Sequence, residues 1–404
     1  MTVLEALRGY GRSRAVRLTV LASPEEIREY SAMFPEYSWI RITPPSVTAS
    51  ALSVLRRVIG EGPPRRAWRK LRVRLAQSIK QLHPGQFAVS SPWFRRHGFD
   101  LLLVTHAYWP TCDAGVPYVF TIHDLEHRLQ PQFTENTEDG WGDWIEGLHR
   151  NGVRHAELVV AESAVGRSDI IEAYAEDGVT ADRVRILPYC APRQVIAPPT
   201  PEEVATVRRI YNLPERYLFY PAAFWSHKNH LRIIEALGML KQREGLEIPI
   251  VLCGSQIDAH TRRTFAQVTE LASRLGITHL VRYLGQVPEN VMSGLYGGAV
   301  ALVMPTFFGP TNLPILEAWA AGCPALTSRI RGVEEQAGSA AILVNPNSAD
   351  EIADGIRRLW VDPLLRSRLA ASGRDHLAAY SADAFRERIF DILDEAIACL
   401  QGNP

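Results

Sequence analysis

Short apolar runs alternate with longer segments of helical period along most of the chain. The clearest runs are Val16–Leu21, Leu101–Thr105, Tyr118–Ile122, Leu158–Ala161, Val184–Leu187, Tyr217–Tyr220, Ile248–Cys253, Val281–Leu284, Val300–Met304, Ala325–Thr327 and Ile342–Val344. Such runs, bounded by Gly, Pro or Asp, predict strands covered on both faces. Between them, Leu231, Ile234, Leu237 and Leu240 recur at helical spacing. A strand-then-helix order predicts an α/β protein with parallel sheets and helices on both faces.

The chain has 404 residues, enough for two to three domains. Residues 188–201 hold five prolines in fourteen positions and predict a linker or hinge. The expected division is therefore 1–190, 191–380 and a last helical stretch over 381–404. Lys+Arg and Asp+Glu both total 44, a balance that argues against wholesale binding of nucleic acid. The five cysteines are scattered, with no CxxC pair, so neither a zinc ribbon nor a dithiol centre is expected, and a reducing compartment fits. Residues 1–7 carry an acid, Glu5, where a signal peptide would be apolar. The longest uncharged stretch, 290–316, is broken by glycines and prolines and reads as a buried strand and a loop. A cytoplasmic protein is the expectation.

One segment is unbalanced. Between Glu36 and Asp100 twelve bases face a single acid, Glu61. Within it Trp68, Leu71, Leu75, Ile79 and Leu82 share one helix face. Two readings stand: a solvated helix with an ordinary core face, or a basic amphipathic helix over 65–82 in peripheral contact with an anionic membrane.

No GxGxxG follows a strand, and no P-loop, nucleophile elbow or HExxH is present. His123-Asp124-Leu125-Glu126-His127 spaces two histidines four apart, but it follows a strand directly and reads as a strand-end loop rather than a metal site. Three other features carry chemistry. The stretch 217–230 runs from a strand through a loop to a helix expected near Lys228, where free N–H groups, Lys228 and His227 suit a diphosphate. The stretch 301–318 repeats this layout, with Pro314 and Glu317 expected in the first helical turn and Gly309 permitting close approach of a ligand to backbone amides. Glu317 there serves either a sugar's paired hydroxyls or only the helix dipole. His123 closes the strand 118–122, where α/β folds place ligands, and is either a donor or proton shuttle or a satisfied core histidine.

As a set these residues resemble glycosyltransferase family 4, retaining enzymes of the GT-B fold. The likeness is carried by His-Asp-Leu-x-His at 123–127, Phe-Trp-x-His-Lys-Asn-His at 224–230 and Phe-Gly-Pro-Thr-Asn-Leu-Pro-x-Leu-Glu-Ala at 308–318, with Gly285-Gln286-Val287-Pro288 and Ala320-Ala321-Gly322-Cys323-Pro324 in support. The resemblance implies two facing Rossmann-like domains: an acceptor-binding one over 1–190, a nucleotide-sugar-binding one over 191–380, and a last helix crossing back to the first. It implies transfer of a hexose, mannose-like by preference, from a nucleoside-diphosphate donor to a glycan or polyprenyl-linked glycan, with no metal and no further cofactor. In that picture Lys228, helped by His227 and Asn229, contacts the diphosphate. Glu317 holds the ribose, and Gly254 and Val287 flank the base. Gly309, Pro310, Thr311, Asn312 and Leu313 hold sugar and phosphate. His123 lies across the cleft beside the transferred sugar.

Three departures stand out. Gly309 occupies the position of the family's first glutamate, and Ala223 that of its usual arginine. The family's first strand and glycine-rich loop have no counterpart before Thr2–Arg8, which suggests a start numbered too late or a truncated gene. An alternative is therefore a nucleotide-sugar-binding protein without turnover.

Overall fold

The computed structural model describes residues 2–41, 94, 96–105, 115–191 and 197–402. The basic segment 65–82 lies outside them. Among the described residues twelve strands are present, every pairing among them parallel. β1 (Thr19–Ala22) pairs with β2 (Ser38–Arg41) as a separate two-stranded ladder. β3 (Leu102–Val104), β4 (Tyr118–Thr121), β5 (Leu158–Ala161) and β6 (Val184–Ile186) follow in chain order as a four-stranded sheet. The C-terminal half contributes β7 (Leu218–Pro221), β8 (Ile250–Cys253), β9 (Val281–Tyr283), β10 (Ala301–Met304), β11 (Ala325–Ser328) and β12 (Ala341–Val344), in the spatial order β12-β11-β10-β7-β8-β9.

Strands β5, β8, β10 and β11 are buried at every residue, the reason they read as unbroken apolar runs. β2 has no such signature: only Trp39 and Ile40 are partly covered, between exposed Ser38 and Arg41. The helices that matter below are α1 (Thr2–Ala6), α2 (Glu126–Leu129), α3 (Thr134–Thr137), α4 (Ala164–Ala173), α5 (His230–Glu244), α6 (Leu313–Ala320) and α7 (Ala382–Gly402). Among the described residues no helix is long and apolar enough to cross a membrane.

α7 belongs to the N-terminal core although it ends the chain. Phe385, Ile389 and Leu393 pack with Ala6, Leu7, Tyr10 and Phe34, while Ile392 and Ala396 lie against Val119, Leu158 and Val160. Polar ties fix the crossing. Asp394 accepts from the Tyr10 phenol at 2.8 Å and pairs with Arg14 at 2.7 Å; Glu395 accepts from Arg185 Nε at 2.7 Å. α7 lies under both N-terminal ladders: Leu18, Val20 and Trp39 from one and Leu101 and Leu103 from the other join its cluster.

Two buried histidines weigh against the fold in acid. His149 packs among Phe120, His127 and Tyr174, and His230 stacks on Phe224 with ring centroids 4.4 Å apart. Burial, reinforced by neighbouring positive groups, pushes both from the ordinary 6.5 down to about 3. A depressed histidine leaves the folded state stable above its unfolded pKa and costs stability as pH falls towards the folded one. Urea midpoints are expected to drop as pH is lowered from about 6.5 towards 3, and His230→Phe should flatten part of that slope. Ile389→Ala, which empties a site only 1% exposed, should destabilise the protein by about 2–5 kcal/mol in the same assay.

Candidate functional site

All strands of a parallel sheet release the chain at one edge, and the polar residues gather there. Thr105 follows β3, His123 lies just past β4, and Glu162 follows β5. From the other half come the loops after β7 and β10. His123, Asp124, Glu126, Glu162 and Tyr189 face His227, Lys228 and the stretch Phe308–Asn312 around a cavity of about 120 Å³. A larger cavity, about 700 Å³, lies at the chain crossing beside Ala6, Cys190 and Phe385, away from these strand ends, so size does not mark the polar site.

The two C-terminal loops are tied to each other. The His227 carbonyl accepts from the Phe307 N–H at 2.8 Å and from the Thr306 hydroxyl at 3.1 Å, and the Tyr220 phenol donates to the Lys228 carbonyl at 2.9 Å. The helix expected near Lys228 starts later. Ser226–Lys228 form a single 3-10 turn, Asn229 is left-handed at φ 63°, and α5 begins at His230. The Asn229 amide is turned inward, donating to the carbonyls of Pro305 and Pro346 at 2.7 and 2.8 Å, so its side chain holds the loop together. In the second loop Gln336 grips Asn312 twice, accepting its N–H at 2.9 Å and donating to its carbonyl at 3.0 Å.

Gly309 has φ 145°, which side-chain-bearing residues rarely adopt, and a Cβ there would lie 2.6 Å from the Asn312 amide oxygen. A glutamate cannot stand at 309 in this loop. A carboxylate reaches the same loop from the opposite half: Glu162 Oε2 accepts from the Thr311 hydroxyl at 2.6 Å.

Carboxylates also face the cations. Glu135 accepts from both the backbone N–H and Nδ1 of His227, at 3.0 and 3.1 Å, and these bonds hold its carboxyl down to about 2 against the opposing effect of burial. Glu126 Oε1 lies 2.8 Å from the same Nδ1 but off the hydrogen-bonding direction. Burial lowers the Lys228 pKa, and Glu126 and Asp124 partly offset this at longer range. His227 therefore meets the N-terminal half rather than open solvent. Phe133 and Phe307 close the same seam with ring centroids 5.4 Å apart, and Glu335 caps the start of α4 by accepting from Ala164 and Val165 N–H at 2.9 and 3.0 Å.

The remaining expected site residues lie outside the cavity. Glu317 falls in the second turn of α6, not the first, and accepts from the Tyr296 phenol at 2.6 Å. Burial raises its pKa. Leu313 opens α6, Val287 packs on the C-terminal core, and Gly254 follows β8, where a Cβ would meet the Ala222 carbonyl at 2.1 Å. Glu162, Tyr189, Thr105 and Glu135 escaped the sequence reading. The one available signal was a charged residue directly after a fully apolar run, as at Glu162.

Residues 205–376 match the family model described as glycosyl transferases group 1. Among similar proteins, the O-antigen chain mannosyltransferase B of Escherichia coli is 28% identical over 63% of this chain. The D-inositol 3-phosphate glycosyltransferase of Salinispora arenicola is 28% identical over 70% of it. The aligned part spans 64% of the length of each of these relatives. Among solved structures, Anabaena Alr3699/HepE in complex with UDP and glucose superposes with a TM-score of 0.69 at 15% identity, covering 97% of this chain and 95% of that one. A glycosyltransferase of Rickettsia africae gives a TM-score of 0.66 at 15% identity, covering 99% and 94%. The C-terminal half thus matches the family model of the group 1 glycosyl transferases, and the chain, whose two parallel-sheet halves superpose on the solved structures of such proteins, has the GT-B fold.

Proposed function

We propose that the protein is a retaining, family 4-like glycosyltransferase that moves a hexose from a nucleoside-diphosphate donor to a hydroxyl of a glycan or lipid-linked glycan. The observation that carries this reading is the meeting of Lys228 and His227 with the Gly309–Asn312 loop at one cleft. A diphosphate leaving a sugar gathers negative charge. A lysine in a desolvated site, a histidine and the amides leading into α6 are the groups that stabilise it there. They supply positive charge without a metal. Glu317 and the strand ends at Gly254 and Val287 lie farther along the C-terminal sheet, where ribose and base would extend. His123 faces the loop from the acceptor side. A retaining outcome needs the acceptor to attack from the face the diphosphate leaves, and the placing of His123 and Lys228 on one small cavity supports that reading. The mannosyltransferase relative supports a mannose-like sugar and a glycan acceptor. The complex of Alr3699/HepE with UDP and glucose supports a nucleotide-sugar donor.

A cavity of about 120 Å³ is too small for such a donor, since ligand sites usually measure about 300–1,000 Å³. Donor entry thus requires the halves to part, and closure over the donor excludes water.

Two measurements test the reading. Purified protein is incubated with GDP-, UDP-, dTDP- and ADP-sugars, and binding is followed by thermal shift and nucleotide release. One donor class should shift the melting temperature. Lys228→Ala should abolish that shift and lower kcat by about 10²–10³-fold. Binding without release under any acceptor would instead favour a non-catalytic nucleotide-sugar-binding protein, and equal binding by Lys228→Ala would sink the proposed site. Second, Glu126→Gln combined with Glu135→Gln should lower donor KM by about tenfold, because charge-assisted hydrogen bonds worth about 1.5–3 kcal/mol no longer hold His227 against the donor. An unchanged or higher KM would show that these carboxylates do not compete with the diphosphate.

A further inference from the structure

We propose that Glu162 is a positioning residue of the transfer site: its one carboxylate fixes the protonation and orientation of His123 and the place of Thr311 across the cleft. The proposal rests on the transferase reading only for its kinetic consequences.

Glu162 is 5% exposed and lines the cavity from the N-terminal side, opposite Lys228. Oε1 lies 2.5 Å from His123 Nδ1, and Oε2 accepts from the Thr311 hydroxyl at 2.6 Å. The Tyr189 phenol lies 3.0 Å from the same Nδ1, its ring roughly parallel to the imidazole at 6.2 Å, and hydrogen-bonds to Glu162 as well. The other ring nitrogen, Nε2, is 2.8 Å from the Thr105 carbonyl. A carbonyl can only accept, and so can an ionised carboxylate. A neutral imidazole has one N–H and cannot serve both. The imidazolium has two, and its two N–H directions are the two filled here.

The charges around the ring agree. Glu162 at the end of β5 and Asp124 on the same loop favour the cation. Lys228 and His227 line the cavity from the C-terminal half and oppose it, with Glu126 beside them. His149 lies behind on the helix Trp141–His155. The balance raises the His123 pKa, with the Glu162 hydrogen bond as the largest cause and burial as the main opposing one.

Two consequences follow. An imidazolium with both N–H groups engaged cannot take a proton, so in the closed state His123 is a fixed positive group and not a general base. And because Glu162 also receives Thr311, the loop that carries Gly309 is placed against the same carboxylate. Activity that needs the cation is present below the raised pKa and is lost as pH rises through it. Removing Glu162 moves that loss to lower pH.

The full-length protein, labelled at the histidine ring carbons, is titrated by NMR, with His123 assigned from the signal missing in His123→Gln. In the wild type its midpoint should lie above the ordinary histidine value, and in Glu162→Gln it should return to that value or below. In turnover, Glu162→Gln should lower kcat by about a hundredfold, the scale of a misplaced reacting group, with little change in donor KM. Its alkaline limb should move to lower pH. Glu162→Asp should restore part of kcat and keep the limb in place, which separates positioning from a general folding defect. Thr311→Val should lower kcat without moving the limb. An unmoved His123 midpoint in Glu162→Gln, or an unmoved limb, overturns the proposal and leaves the transferase reading standing. Failure of the wild type to turn over any donor overturns the transferase reading, while the NMR titration still decides the role of Glu162.

Discussion

A parallel ladder cannot be joined by tight hairpins. Every strand must hand the chain to a crossover, and all of them do so at the same edge. That constraint governs the rest of this molecule. It gathers Thr105, His123 and Glu162 on one rim and the loops holding His227, Lys228 and Gly309 on the other. The chemistry then depends on two rims meeting, so no single segment contains the site. Neither half alone pairs Glu162 with Thr311 or Glu135 with His227.

The seam between the rims is an exchange of charges. Glu126 and Glu135 face His227, Asp124 and Glu126 act on Lys228, and in the opposite sense Glu335 reaches the start of α4. Charges in a partly dry cleft are costly unless matched, because desolvation penalises each one. Here they are matched internally. An anionic ligand offers an alternative partner to the same cations and releases the carboxylates to solvent. Opening and ligand binding thus draw on the same interactions.

Much of the fold was legible because strands buried on both faces show as unbroken apolar runs, and ten or more such runs specify parallel sheets with little ambiguity. β2 was not, since Trp39 and Ile40 alone do not make a run. Of the candidate site, a motif made part legible as a cavity lining: Lys228 and the stretch Gly309–Asn312 lie around the same cavity. Asn229 shows the limit of that kind of reading. It sits inside the motif, yet its left-handed backbone turns the amide into the protein. Glu317 likewise lies one turn deeper than its sequence spacing suggested, bonded to a tyrosine instead of the helix end. Glu162, Tyr189 and Glu135 were invisible for the opposite reason. Each is a single polar residue whose partner lies far away in the chain, and only the folded cleft brings the pairs together.

The crossing of α7 bears on how the chain is made. The ribosome delivers the N-terminal half first, yet Phe385, Ile389, Ile392 and Leu393 of the last helix complete its core. Until those residues emerge, the sides of Tyr10, Val119 and Val160 that α7 covers stay open. Domains usually fold in order of synthesis. Here the C-terminal sheet, with its own large core, can finish first, and the half made earliest finishes last. During that interval the uncovered apolar face is a natural target for chaperones, and a ribosome that stalls before residue 382 would leave a product with a complete C-terminal sheet and an N-terminal half lacking one side of its core.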